Sequence, residues 1–182
     1  MSSFIFRGCV MKEKFIHYVK ELLPYILVLI VILCIKKFAF GTILVNGNSM
    51  KDTLHNKDFM ILDKMTYRFH EIKRFDIVVV QVGSQKLIKR VIGLPGEVIE
   101  YKDNELYVDG KKVEDHHSNR VTYDFDLHSI DLKRIPEDTY FVMGDNRTDS
   151  LDSRSFGVVK KEQILGKTSF VLFPFSRFGK VK

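Results

Sequence analysis

At 182 residues the chain holds one compact domain plus a short extra segment, and its formal charge of +6 is unevenly spread. Residues 1–40 carry six basic and two acidic side chains, a net +4, which leaves +2 for the other 142 residues and excludes the concentrated basic face that binds nucleic acid. Both cysteines, Cys9 and Cys34, fall in the N-terminal part, so residues 41–182 hold no disulfide, no cysteine-based zinc site and no thiol nucleophile.

The first element is an uncharged apolar run from Leu22 to Ile35, followed by Lys36-Lys37 and Phe38-Ala39-Phe40. Its 14 residues would cover roughly 21 Å as a helix, against a hydrocarbon core of ~30 Å. Snorkelling lysines and the Phe38–Phe40 extension lengthen the stretch to residues 22–40. Apolar character on every side argues against a buried core helix. A long basic leader and the two intervening lysines argue against a cleaved signal peptide, although Ala39 and Gly41 are small enough to border a cut. A retained transmembrane anchor fits best. Arg7, Lys12, Lys14 and Lys20 precede it and only Lys36 and Lys37 immediately follow, so the positive-inside bias places residues 1–21 in the cytoplasm and residues 41–182 outside.

Beyond Gly41 the sequence changes to short β-prone runs separated by turn residues. Strands are expected at Thr42–Val45, Phe59–Asp63, Asp76–Val82, Leu87–Gly93, Val98–Tyr101, Glu105–Val108, Tyr140–Met143 and Lys167–Phe173. Asp103-Asn104 and Asp109-Gly110 mark the turns of a small hairpin unit. Residues 72–75 read as a connection, Lys160–Leu165 as one helical turn, and Asp124–Asp131 as a solvated acidic loop. The adjacent His116-His117 lacks metal-ligand spacing. The whole reads as a mostly β, barrel-like domain behind one N-terminal helix.

Three blocks carry chemistry. In the first, Ser49-Met50-Lys51-Asp52-Thr53-Leu54, a serine follows Asn46-Gly47-Asn48; alone, it would be read as a turn. In the second, Leu87–Gly96, Lys89 sits among Leu87, Ile88, Val91 and Ile92. Burial there would lower its pKa from ~10.4 toward ~7–8, the range of a general base. Strand alternation points Lys89 and Arg90 to opposite faces, so that one can meet the site and the other water. The third, Gly144–Gly157, is a polar run longer than an ordinary loop of Asx and Ser turns.

In this order, behind an apolar segment, the three blocks resemble the type I signal peptidases, the membrane-anchored enzymes that remove signal peptides from exported proteins. Ser-Met-Lys-Asp-Thr-Leu is similar to that family's Ser-Met-x-Pro-Thr-Leu, with Asp52 in place of the proline. Lys89-Arg-Val-Ile-Gly-Leu-Pro-Gly96 matches its lysine motif. The resemblance implies a coiled β-sheet core with a small β insertion at residues 98–139, and the compact Gram-positive form. It implies Ser49 as nucleophile and Lys89 as inward-facing base, with no cofactor or metal. Ser150 would orient the lysine, Asp152 and Arg154 would pair to hold the third block in place, and Asp145 would join that network. The Ser49 N–H would serve the oxyanion, because Gly47 offers no hydroxyl two residues before the nucleophile. Signal peptides of secretory preproteins would pair with Ile43–Gly47 and Lys86–Lys89 as an added strand. Met50, Ile43 and Ile88 would wall pockets for Ala-like residues. Phe173, Phe175 and Phe178 would meet membrane lipids.

Two other functions share some of these features. A self-cleaving repressor protease also uses a Ser/Lys dyad, but it needs a DNA-binding domain and an internal Ala-Gly site, and this chain has no Ala-Gly pair. A non-catalytic accessory homologue that holds substrates for another enzyme is opposed by the presence of both Ser49 and Lys89 and favoured only by Asp52.

Overall fold

A computed structural model describes residues 2–51, 53–118 and 121–181, with the backbone alone for residues 2–16, 36 and 37. The chain divides into two compact units, residues 1–39 and 40–182. The first is a single helix, α1 (Ser2–Phe38), with Pro24 inside it. Its His17–Ile35 stretch is long and apolar enough to cross a membrane, and none of that stretch is buried. Phe40, read from sequence as the end of the apolar stretch, opens the first strand instead.

The second unit is built from β1 (Phe40–Leu44), β2 (Phe59–Asp63), a helical turn α2 (Thr66–Phe69), β3 (Ile77–Val82), β4 (Gln85–Gly93), β5 (Ile99–Lys102), β6 (Glu105–Val108), β7 (Lys111–Val113), β8 (Phe125–Asp126), β9 (Thr139–Met143), α3 (Ser153–Phe156), β10 (Val159–Lys160), β11 (Ile164–Phe173) and β12 (Gly179–Lys180). Every strand pairing among the described residues is antiparallel. Seven strands follow the order β1-β2-β11-β3-β4-β9-β10, with β12 on β11, so the main sheet is an open path and not a closed barrel. A four-stranded sheet, β7-β6-β5-β8, forms from the chain between β4 and β9.

Strand alternation explains how the main sheet is covered on both faces. Ile77 and Val79 enter a core with Val45, Met50, Leu54, Met60 and Ile88. Val78 and Val80 enter a second one with Ile72, Val91 and Tyr140. A third core joins Ile92, Phe141 and Met143 to Ile99, Tyr101 and Leu106 of the small sheet. The hairpin turns at Asp103-Asn104 and Asp109-Gly110 have positive φ at both central residues, the geometry that the twist of two-residue hairpins demands.

Two expectations change. The Asp124–Asp131 segment is no free loop: Phe125 and Asp126 pair with β5, and Leu127 is buried in the 3-10 turn that follows. Lys160–Leu165 holds only a 3-10 turn, Lys161–Gln163, before β11 begins at Ile164.

Candidate active site

The loop after β1 is fixed by its own backbone and by two apolar anchors. Gly47 takes φ 98°, a conformation that suits glycine, and its N–H donates to Asn56 Oδ1 at 3.2 Å. The Lys51 amide donates to the Asn48 carbonyl at 3.0 Å, closing a turn around Ser49 and Met50, and the amides of Thr53 and Leu54 donate to the Met50 carbonyl. Met50 and Leu54 are fully buried, which leaves Ser49 half-buried at the surface of a packed loop. Asp52 lies outside the described residues.

The third block docks on this loop. The Asn146 amide donates to the Ser49 carbonyl at 2.9 Å, Asn146 Nδ2 donates to the Asn48 carbonyl at 3.0 Å, and the Asp145 amide donates to Met50 Sδ at 3.4 Å. Gly144 makes the approach possible. A Cβ there would lie 2.3 Å from Ser150 Oγ and 2.4 Å from the Ser49 carbonyl oxygen, so any side chain would force the two blocks apart.

Lys89 stands on β4, opposite Val78 of β3. It is 2% exposed, and its Nζ donates to Ser150 Oγ at 3.1 Å. Burial lowers its pKa to about 8. The Asp152 carboxylate opposes that shift and the Arg154 guanidinium adds to it. Asp152 and Arg154 are themselves paired, Nε to Oδ1 and Nη2 to Oδ2, both at 2.9 Å. Arg154 thus limits how strongly Asp152 can hold Lys89 in its charged form. Replacing Arg154 by Met is expected to raise the pKa of Lys89, moving the alkaline rise of any Lys89-dependent activity to higher pH; an unmoved profile would separate Arg154 from Lys89.

Arg90 does not meet water. It is 2% exposed and grips Asp145 with two hydrogen bonds, Nε to Oδ1 at 2.8 Å and Nη2 to Oδ2 at 2.7 Å. Nη1 donates to the Phe75 carbonyl, and Thr53 Oγ1 donates to Asp145 Oδ2. Alternation does send Lys89 and Arg90 to opposite faces, but here both faces are covered. The Arg90–Asp145 pair therefore ties the strand that carries the lysine to both loops.

Two site-supporting arginines, Arg147 and Arg177, have no role assigned to them from the sequence. Arg147 is buried, with Nη1 on the Tyr101 hydroxyl and Thr122 Oγ1, Nη2 on Asp115 Oδ2 at 2.6 Å and Nε on the Gly144 carbonyl. Burial raises the pKa of Asp115, but the Arg147 charge and the hydrogen bonds from Tyr101, Arg147 and the His117 amide together outweigh it and hold that carboxyl low. This cluster fastens the small sheet to the third block and gives Asp115 a structural role. Arg177, after β11, donates from Nη2 to the Thr53 carbonyl at 2.9 Å and places Nη1 2.9 Å from buried Asp58. His117 is tied up differently, its ring packed at a tilt against Phe75 with centroids 4.9 Å apart, while His116 pairs with Glu114.

Beside Ser49 opens a cleft of about 250 Å³ lined by Ile43, Gly47, Ser49, Met50, Lys86 and Ile88, among others. Its walls are two unpaired edges. β1 ends the sheet, and β4 pairs with β9 only from Arg90 onward, so residues 85–89 have no strand partner on that side among the described residues.

A serine in a fixed loop, a buried lysine of lowered pKa and a strand-lined cleft are the parts of a peptide hydrolase. A family model described as signal peptidase, peptidase S26, matches residues 16–173. The chain belongs to that family. Signal peptidase I of Bacillus caldolyticus is 40% identical over 167 residues, covering 86% of this chain and 92% of its own. Signal peptidase I V of Bacillus subtilis (strain 168) is 41% identical over 146 residues, covering 74% and 87%. The crystal structure of a signal peptidase I from Enterococcus faecalis V583 is 37% identical with a TM-score of 0.50, covering 54% of this chain and 97% of that one. Like its S26 relatives, the protein is a hydrolase of the peptidase class.

Proposed function

We propose that the protein is a membrane-bound serine endopeptidase that removes N-terminal signal peptides from exported preproteins. Ser49 is the nucleophile and neutral Lys89 the general base. The observation that carries this reading is the Lys89 amine, buried, lowered to about 8 and held by Ser150 beside the loop that bears Ser49. At pH 7 such an amine is neutral in roughly one molecule in ten, against fewer than one in a thousand for an ordinary lysine. It takes the hydroxyl proton as Ser49 Oγ attacks the scissile carbonyl. The Ser49 N–H stabilises the oxyanion, and the ammonium returns its proton to the leaving amine. Water then repeats the cycle on the acyl-enzyme.

The substrate enters as a strand between β1 and the free part of β4. Ile43, Met50 and Ile88 narrow the cleft to small side chains before the cut. The apolar part of α1, within His17–Ile35, serves as the membrane span, with the residues before it cytoplasmic and the unit from Phe40 onward as the outer catalytic domain, in which 98–139 form the inserted subdomain. Exposed Phe173, Phe175 and Phe178 supply a lipid-facing surface.

The test is cleavage of a purified preprotein by the detergent-solubilised chain, with the cut mapped by mass spectrometry. Cutting after a small residue is expected, with near-complete loss in Ser49→Ala and in Lys89→Ala and no effect of chelators. Activity surviving Lys89→Ala would overturn the mechanism, and a chain that bound signal peptides without cutting them would be the accessory homologue.

A further inference from the structure

The substrate cleft carries a single ionisable side chain among its lining residues. Its walls are Ile43, Leu44, Val45, Asn46, Gly47, Ser49, Met50, Leu87 and Ile88, and the exception is Lys86. Lys86 is exposed, and no acidic group pairs with it among the described residues. Its cross-strand neighbour on β3 is Gln81, which brings no charge. Among the described residues the lysine is therefore a cation without an acidic partner, on the wall of an otherwise uncharged slot.

Its place on the strand sets where that charge acts. Lys86 precedes Lys89 by three residues on β4, about 10 Å along an extended chain. A peptide lying in register along β4, with its scissile bond at Lys89, passes Lys86 with its third to fifth residue from the cut. Lys86 shares the cleft with Ile43, Met50 and Ile88, the walls assigned to the residues before the cut, so it addresses that side of the substrate.

We propose that Lys86 is a specificity-determining residue that favours preproteins with an acidic side chain, and disfavours those with a basic one, at the third to fifth position before the cleavage site. The inference rests on the peptidase reading and names the substrate class within it. A solvent-exposed pair of this kind is worth about two- to fivefold in kcat/KM, and salt weakens it.

The experiment uses the full chain in neutral detergent. Peptides spanning a preprotein cleavage site carry Glu, Gln or Lys in turn at the third, fourth and fifth positions before the cut. The expected order of kcat/KM at one or more of these positions is Glu over Gln over Lys, with the spread shrinking between 50 mM and 500 mM salt (roughly a threefold shortening of the Debye length). The ratio of Glu to Lys peptide should invert in Lys86→Glu, collapse toward one in Lys86→Gln and persist in Lys86→Arg, each ratio being read within one variant. Adding anionic lipid to the micelles should leave the Glu-to-Lys ratio above one. A ratio that vanishes there means that Lys86 serves lipid headgroups, which overturns the inference. Equal cleavage of all peptides, or the parental ranking in Lys86→Glu, overturns this inference alone. No cleavage of any peptide overturns the peptidase reading with it.

Discussion

Lys89→Met should abolish peptide cleavage and at the same time make the protein harder to unfold at pH 7. A lysine shifted from 10.5 to about 8 is less comfortable as an ammonium in the folded chain than in the unfolded one. That difference is on the order of 3 kcal/mol. Methionine fills a similar volume without the charge, at the loss of one hydrogen bond to Ser150. The sign follows from proton linkage. Below about pH 8 both states hold the proton, and the folded state bears the whole penalty. Between about 8 and 10.5 the folded chain has released its proton while the unfolded chain retains it, so stability rises with pH. The advantage of Lys89→Met should therefore be greatest at neutral pH, roughly 6 to 12 °C in Tm, and fade as pH approaches 10.5. Thermal unfolding of parent and variant across that range decides it. A variant that melts below its parent at pH 7 would mean that the amine is not desolvated, and the proposed base would lose its physical ground.

Asp145→Asn works in the opposite direction. Arg90 and Asp145 are 2% and 0% exposed in their side chains, and the carboxylate supplies the counter-charge and two of the hydrogen bonds of a guanidinium that no water reaches freely. The amide keeps the shape of the carboxylate but leaves Arg90 as an uncompensated buried cation. A loss of about 3–5 kcal/mol is expected, a large fraction of the stability of a domain this size. Replacing both partners, Arg90→Met with Asp145→Leu, should recover much of it, because no buried charge is then left without a partner. The Asp145 carboxylate also raises the pKa of Lys89, so any activity that survives in Asp145→Asn should have its alkaline rise moved to lower pH. A double-mutant cycle by chemical denaturation measures the coupling. A coupling near zero would mean that the pair is incidental to the docking of the third block.

The parts of this protein visible in its sequence are those with a local physical signature. Long alternating or fully apolar runs such as Phe59–Asp63 and Ile77–Val82 stand out as strands. The two-residue strands β8, β10 and β12 are too short to display a period, and only their partners define them. Arg90 shows the limit of alternation. The rule places its side chain opposite Lys89, but whether that side faces water depends on the Gly144–Gly157 loop, more than 50 residues away in sequence. Burial follows from what covers a face, not from the period of the strand itself. Arg147 is harder still. Its partners Tyr101, Asp115 and Thr122 come from separate parts of the small insertion, and nothing in the spacing of one arginine announces them. Ser49, Lys89 and Ser150 could be singled out because their blocks resemble the motifs of a known family; taken alone, Ser49 reads as a turn residue. Their common anchorage around Gly144 is a product of the tertiary fold.

The grip of Arg177 on Thr53 has a consequence for the order of events during synthesis. The two residues are 124 positions apart, and β11, which precedes Arg177, is flanked by β2 on one side and β3 on the other. A growing polypeptide that has emerged only as far as the lysine strand can form the β3–β4 hairpin but lacks the neighbour that belongs between β2 and β3, and has nothing to brace the turn around Met50. Hydrolytic competence then arrives late, once residues 164–177 have left the ribosome and closed the gap. Until then an immature copy presents an unfinished scissor.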